Sequence, residues 1–282
     1  MKKRFTRFAA IDWSGAKGSR HKGIAVAVAD AGDAPPRLVR PGHVWSRTEV
    51  LDWLAALADG PPTLAGMDFS FAPPFVARGA YLPGDTAPTD ARAFWAFVDA
   101  ACDDEDLGAA SFLERSYRRH FYFGKADGTK ADYMHLRACE AAFNASGGGK
   151  PSTVFDAIGA AQVAKGSFAG MRLLHHLGER LPVWPFDPVG AGSLLVEIYC
   201  RAFIRLAGGR GLKLRSLADL NAALARLGSR PVETDRWLND NETDVLVTAV
   251  GLRTIADDPA AWAPAGLDAA VARTEGWTFG VR

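Results

Sequence analysis

The sequence of 282 residues contains little cysteine, almost no net charge and no long apolar run. Its three cysteines, Cys102, Cys139 and Cys200, have no CxxC spacing, which argues against a disulfide scaffold and against a zinc site. The formal net charge is +1, so any contact with nucleic acid must rest on a local patch. No run of about 20 apolar residues could span a bilayer, and no signal-peptide core follows the basic N-terminus. We therefore expect a cytoplasmic protein without a membrane segment.

Two apolar stretches of the chain each end in an aspartate that is followed, two residues later, by a serine. The first stretch ends at Asp12, before Ser14, and the second ends at Asp68, before Ser70. Apolar residues at successive positions predict central strands that are covered on both faces. A carboxylate at the end of such a strand is costly unless it meets a positive charge, which in enzymes is commonly a metal ion. In the alternative interpretation, each aspartate binds backbone N–H groups in a turn.

Apolar periodicity predicts an α/β protein in which three strands, a helix and a fourth strand are followed by further strands and helices. Ser46 and Glu49 have the spacing of a capping box, so we expect a helix to begin there. The predicted strands cover residues 6–13, 22–30, 37–45, 63–71, 181–186 and 193–199. The predicted helical segments cover residues 47–59, 91–101, 134–143, 155–177, 200–207, 216–227 and 241–255.

Residues 72–150 interrupt this order with proline-rich loops and mixed helical stretches. We interpret them as a mainly helical insertion within a single domain that spans residues 1–282. The insertion contains a basic and aromatic stretch with Arg115, Arg118 and Arg119. Guanidinium groups bind phosphates and aromatic rings stack on unpaired bases, so this stretch is the predicted nucleic-acid contact. The same composition also describes an amphipathic helix whose aromatic side chains lie in the core.

Two further carboxylates extend the candidate site. Glu197 lies inside an apolar strand, where a charged side chain is rare without a partner, and the alternative to a metal is a salt bridge to a buried arginine. Asp244 lies in the first turn of a predicted helix, where the helix dipole favours an acidic residue whether or not it is functional.

The order of these carboxylates along the chain fits a ribonuclease-H-like mixed sheet with a closing helix. The first three lie on strands, as two aspartates and a glutamate, and the fourth is an aspartate on a helix. In such sites carboxylates converge on one or two divalent metals that stabilise the attacking and leaving oxygens of a phosphodiester displacement. All-oxygen ligands suit hard cations, so Mg²⁺ or Mn²⁺ is the predicted cofactor. The predicted ligands, which are also the predicted catalytic residues, are Asp12, Asp68, Glu197 and Asp244.

The chain resembles the ribonuclease-H-like proteins grouped as domain of unknown function 429, which are described as predicted nucleases. The motifs that carry the resemblance are Ala10 to Gly15, Gly66 to Ser70, Arg137 with Glu140, Gln162 to Gly170, Val183 to Asp187, Val196 to Tyr199, Thr243 with Asp244, and Glu275 to Trp277. The resemblance implies a fold and a metal site, and the activity of the family is itself a prediction. Cys200 departs from the pattern, because such proteins often have proline at this position.

Four other residues are candidates for contacting a substrate. Ser14 and Ser70 could hold a metal-bound water or a phosphate oxygen, or they could simply cap turns. Arg137 and Lys165 could contact a substrate phosphate, or they could lie on solvated helix faces.

Two other functions are compatible with this sequence. A nucleotide-dependent phosphotransferase of the actin and sugar-kinase type also has an aspartate on its first strand, before a glycine-rich hairpin, but it normally requires two duplicated sheets. A non-catalytic binding or adaptor domain would retain the sheet without any metal. The substrate, the number of metals and the oligomeric state do not follow from the sequence.

Overall fold

The computed structural model describes residues 4–149, 152–159, 163–209 and 213–282, so Gln162 of the motifs above lies outside the described residues. The strands are β1 (Arg7–Asp12), β2 (Ala25–Asp30), β3 (Arg37–Leu38), β4 (Thr63–Asp68), β5 (Val183–Trp184) and β6 (Leu194–Glu197). The helices are α1 (Arg47–Ala55), α2 (Ala91–Ala100), α3 (Ala138–Ala145), α4 (Ala164–Leu177), α5 (Cys200–Leu206), α6 (Leu217–Arg226), α7 (Asp240–Ile255), α8 (Pro259–Trp262) and α9 (Ala269–Thr274). The expected α/β architecture is confirmed.

The strands form one mixed sheet in the order β3-β2-β1-β4-β6-β5. The β1–β2 and β2–β3 pairs are antiparallel, whereas β1–β4, β4–β6 and β6–β5 are parallel. The carboxyl ends of the four parallel strands therefore meet at one edge of the sheet. Asp12, Asp68 and Glu197 are the last residues of β1, β4 and β6, so all three lie at this edge.

Helices cover both faces of the sheet, which explains why the strands are apolar at successive positions. One face, which includes Ile11 and Met67, packs against α1, α2 and α4. The opposite face, which includes Phe8 and Leu64, packs against α5, α6 and α7. We call these the α4 face and the α7 face. Alternate strand residues belong to the two different clusters, so the direction of a strand side chain decides which layer it enters.

Local sequence signals account for several of the element boundaries. The helix predicted at Ser46 is confirmed as α1: the Ser46 hydroxyl accepts from the Glu49 N–H, and the Glu49 carboxylate accepts from the Ser46 N–H. The third strand was predicted to reach residue 45 but ends at Leu38. Arg40 and Gly42 have φ values of 51° and 78°, so the chain turns there instead of continuing the sheet.

The predicted insertion, residues 72–150, contains α2, α3 and several single helical turns in its described part. Its aromatic side chains are largely buried, and Phe112 and Phe121 both contact Phe168 of α4. Most of this region therefore shares the apolar cluster of the α4 face, whereas Cys139 and Phe143 of α3 belong to the cluster of the α7 face. Among the described residues, no helix is both long enough and apolar enough to cross a membrane.

Candidate functional site

Three carboxylates approach one another on the α7 face of the sheet, at the carboxyl edge. Asp12 and Asp68 are register partners on neighbouring parallel strands, so their side chains point to the same face. Asp244 enters from α7, whose first turn is fixed by a capping box between Asn239 and Glu242. Asp12 and Asp68 are partly exposed, whereas Asp244 is only 6% exposed. We call Asp12, Asp68 and Asp244 the carboxylate cluster.

The three side chains of the carboxylate cluster affect one another's protonation. Burial raises the pKa of Asp12 well above its ordinary value, and the nearby charges of Asp68 and Asp244 raise it further. Burial also raises the pKa of Asp68 to about 6, although the N–H of Cys200 donates to its Oδ2 at 3.2 Å and opposes the shift. Burial raises the pKa of Asp244 as well. A positive charge placed near these carboxylates would favour their ionised forms.

Lys213 supplies a positive charge to this cluster. Its Nζ lies 2.7 Å from Oδ2 of Asp244, and its charge lowers the pKa of both Asp244 and Asp12. The other carboxylate oxygen of Asp244, Oδ1, is buried and has no hydrogen-bond partner among the described residues. A buried carboxylate oxygen without a partner is unfavourable, so this atom marks a position where a further cation or donor would be stabilised.

The four predicted ligands are not assembled into one metal site. Within the described ranges, no three His, Cys, Asp or Glu side chains are arranged closely enough to hold a metal ion. The structure brings Asp12, Asp68 and Asp244 to the same side of the sheet and turns Glu197 toward the other side, although its charge still raises the pKa of Asp68. In strand register Glu197 pairs with Met67, not with Asp68, and its side chain therefore points to the α4 face.

Glu197 forms a buried salt bridge with Arg137, which was the alternative interpretation of its sequence position. Nη1 of Arg137 donates to Oε2 at 2.7 Å, and Nη2 donates to Oε1 at 2.6 Å. The Phe71 N–H and the Thr278 hydroxyl complete the carboxylate's partners at 2.7 and 2.6 Å. The side chains of Arg137 and Glu197 are 1% and 3% exposed. These protein donors surround the Glu197 carboxylate on the α4 face, which favours the salt-bridge interpretation, and its role as a metal ligand stays an untested prediction.

Arg137, predicted to contact a substrate phosphate, is instead surrounded by protein acceptors in this structure, and the phosphate contact stays a prediction. Besides Glu197, its guanidinium donates to the Glu140 carboxylate at 2.9 Å and to the Ser70 hydroxyl at 3.1 Å. Glu275 extends this group by accepting from the Ala138 N–H and from two N–H groups near residue 75. We call Arg137, Glu140, Glu197 and Glu275 the buried ionic network. Ser70 lies at the edge of this network and also lines the cavity described below, and its predicted contact with a phosphate remains a prediction.

The two remaining substrate candidates near the edge also have structural partners. The Ser14 hydroxyl accepts from the Ala16 N–H at 3.3 Å, which is a turn contact of the kind weighed from the sequence. Lys165, at the start of α4, forms a salt bridge with Glu114 at 2.9 Å. Neither contact tests substrate binding, and both candidates remain predictions.

The basic and aromatic stretch of the insertion is paired internally. Arg115 is paired with Asp103, Arg118 with Asp127, and Arg119 with Asp85. Arg118 also lies over the Phe123 ring, 4.2 Å from its centroid. These aspartates neutralise the three arginines, while Tyr117 packs on Phe112 and Phe121 packs on Phe168 of α4. The stretch forms two short helical turns, Phe112–Ser116 and Arg118–His120, instead of one amphipathic helix, and its contact with nucleic acid stays a prediction.

A cavity of about 330 Å³ opens beside the carboxylate cluster. Asp68 lines it, together with the aromatic side chains of Trp13, Phe69, Phe143 and Tyr199. The buried ionic network forms another part of its wall. Volumes of about 300–1,000 Å³ and predominantly apolar walls are typical of small-molecule sites.

Two residues of this region were missed at the level of sequence. Lys213 has no recognisable signal, because it lies in a glycine-rich segment between α5 and α6. Glu275 was noticed only as part of a Glu-Gly-Trp motif, and its three N–H partners are far away in sequence.

Comparisons of the chain with protein-family models, curated proteins and solved structures found no match.

Proposed function

We propose that this protein is a metal-dependent hydrolase of phosphodiester bonds, a nuclease of the ribonuclease-H-like type represented by domain of unknown function 429. The observation that carries the proposal is the carboxylate cluster, in which Asp12, Asp68 and Asp244 converge from two strands and a helix, and one buried oxygen of Asp244 lacks a partner. The strand order, with an antiparallel β2 and with β4 beside β1, supports the fold assignment.

The three carboxylates of the cluster are the proposed ligands for Mg²⁺ or Mn²⁺, and Glu197 is not among them. The donor set fits such an ion in type, because it consists of oxygens only. When bound, the ion would supply charge stabilisation for the oxygens of a phosphodiester displacement. Asp12, Asp68 and Asp244 would hold it at the sheet edge after moving closer together, because in the described part of the chain no three such side chains are close enough to share an ion. The cavity lined by Asp68 and the aromatic side chains would accommodate a part of the substrate.

Isothermal titration of Mn²⁺ tests the ligand set directly, and a nuclease screen with Mg²⁺ or Mn²⁺ tests the reaction. The wild type is compared with Asp12→Asn and Asp244→Asn, and the control is Asp30→Asn, whose carboxylate forms ion pairs with Arg7 and Arg37 far from the cluster. We expect the wild type and the control to bind the ion and the two cluster variants to lose both binding and activity. Equal binding by wild type and Asp12→Asn would contradict the proposal.

A non-catalytic binding domain is the second candidate. The observation that favours it is the Lys213–Asp244 ion pair, because an ammonium group can neutralise a carboxylate permanently without any metal. If neither the wild type nor any variant binds a divalent ion, this candidate is favoured. The phosphotransferase alternative has no comparable support, since the described residues form one six-stranded sheet instead of two duplicated ones.

A further inference from the structure

The ammonium group of Lys213 pairs with a carboxylate of the cluster, while the rest of its side chain is partly exposed to solvent. The Lys213 side chain is 39% exposed, whereas that of Asp244 is 8% exposed. The neighbouring Leu214 is buried, and its carbonyl accepts from the Thr243 hydroxyl at 3.5 Å, which ties the segment to α7 beside Asp244. The backbone at Lys213 is therefore anchored, while its flexible four-carbon stem reaches the carboxylates from the solvent side.

The charges around the ammonium are unbalanced. The Lys213 ammonium group pairs with Asp244 at 2.7 Å, and the carboxylates of Asp12 and Asp240 lie close enough to interact with its charge. One positive charge thus faces several carboxylates, and Asp244 still has a buried oxygen without a partner. An ion with two positive charges would satisfy this arrangement better than one ammonium group, because it offers more charge and more coordination positions to oxygen donors.

We propose that Lys213 is an exchangeable counter-cation: it neutralises the carboxylate cluster in the metal-free protein and leaves Asp244 when a divalent metal ion binds. This inference rests on the proposed function. Because the side chain already lies partly in solvent, it can leave without opening the apolar core. Breaking the Lys213–Asp244 ion pair costs free energy, so the ammonium group weakens the binding of the metal ion. Once displaced, the ammonium group of Lys213 can pair with an anionic substrate at the same edge of the sheet.

The first test compares Mn²⁺ binding by wild type, Lys213→Met and Lys17→Met in isothermal titrations. Lys17 is the control, because its ion pair of 2.8 Å is formed with Glu114 and not with a carboxylate of the cluster. We expect Lys213→Met to bind Mn²⁺ about ten-fold more tightly than wild type, within the ordinary range of coupling between linked binding events. Lys17→Met should bind as the wild type does. An unchanged or weaker affinity in Lys213→Met overturns the inference.

The second test uses the wild-type protein and does not depend on a variant that must fold. Acetylation of lysine amines with a water-soluble reagent is followed by mass spectrometry with and without Mn²⁺, and Lys17 again serves as the internal control. We expect acetylation of Lys213 to become several-fold faster with Mn²⁺ while that of Lys17 stays constant. Unchanged acetylation of Lys213 in protein that binds Mn²⁺ overturns the inference and leaves the proposed function intact. Absence of Mn²⁺ binding in wild type and variants alike overturns both.

Discussion

The buried ionic network offers a stringent test, because the two roles considered for Glu197 predict opposite effects of the same substitution. Removing one member of a buried, hydrogen-bonded ion pair costs about 3–5 kcal/mol, since the remaining charge loses its partner. Arg137 and Glu197 are almost inaccessible and share two short hydrogen bonds, so each single variant, Arg137→Met and Glu197→Gln, should lose stability in this range. The total stability of a domain is about 5–15 kcal/mol, so both losses are measurable.

Equilibrium unfolding in urea gives the free energies, and the double variant completes a thermodynamic cycle. We expect a coupling energy of about 1–3 kcal/mol between the two positions, since they are in direct contact. Mn²⁺ affinity should be unchanged in the folded Glu197→Gln protein, because its carboxylate points to the α4 face, away from Asp12 and Asp68. A Glu197→Gln protein that is as stable as the wild type but no longer binds Mn²⁺ would refute this reasoning and restore Glu197 as a ligand.

Three further predictions concern the close contacts and titratable groups of the fold. Gly15→Ala should lower the unfolding free energy by about 1–3 kcal/mol, because a Cβ at this position would lie 2.2 Å from the backbone N of Gly166. An unchanged melting temperature in calorimetry would contradict this prediction. The pKa of His21 is lowered, first by burial and then by the charge of Arg47, so protons bind the unfolded chain preferentially below about pH 6.5. The stability difference between wild type and His21→Gln should therefore shrink between about pH 8 and about pH 5.5 in urea titrations, and a constant difference would argue against a neutral buried ring. Burial is the chief cause of the raised pKa values of all three cysteines, so a colorimetric thiol reagent should react slowly with the native protein and rapidly after unfolding. A fast reaction of the native protein would show an exposed thiolate.

Much of the fold follows from local sequence signals. The capping box of Ser46 and Glu49 predicts the start of α1, and the apolar strands that end at Asp12 and Asp68 become adjacent central strands. The extent of β3 could not be predicted as easily. The residues up to 45 resemble a strand in composition, but the chain turns at Arg40, so pairing with β2 stops at Leu38.

The candidate site was predictable only in part, because strand direction and long-range partners are not visible in the sequence. In a strand covered on both faces, apolar residues surround Glu197 on every side, and the period of two that would reveal its direction is missing. A single step of register separates it from Asp68, and that step decides its layer. Its partner Arg137 is 60 residues away in sequence, and no local rule connects them.

The position of the buried ionic network along the chain bears on how the protein is synthesised. Glu197 accepts from the Thr278 hydroxyl, 81 residues later, and its carbonyl accepts from the Phe279 N–H. Glu275 likewise receives N–H groups from segments made much earlier. During translation the N-terminal strands emerge first, so the carboxyl edge of the sheet lacks these partners until residues 275–279 have left the ribosome. The side chains at the carboxyl edge of the sheet can therefore form their full set of hydrogen bonds only after residues 275–279 have been synthesised.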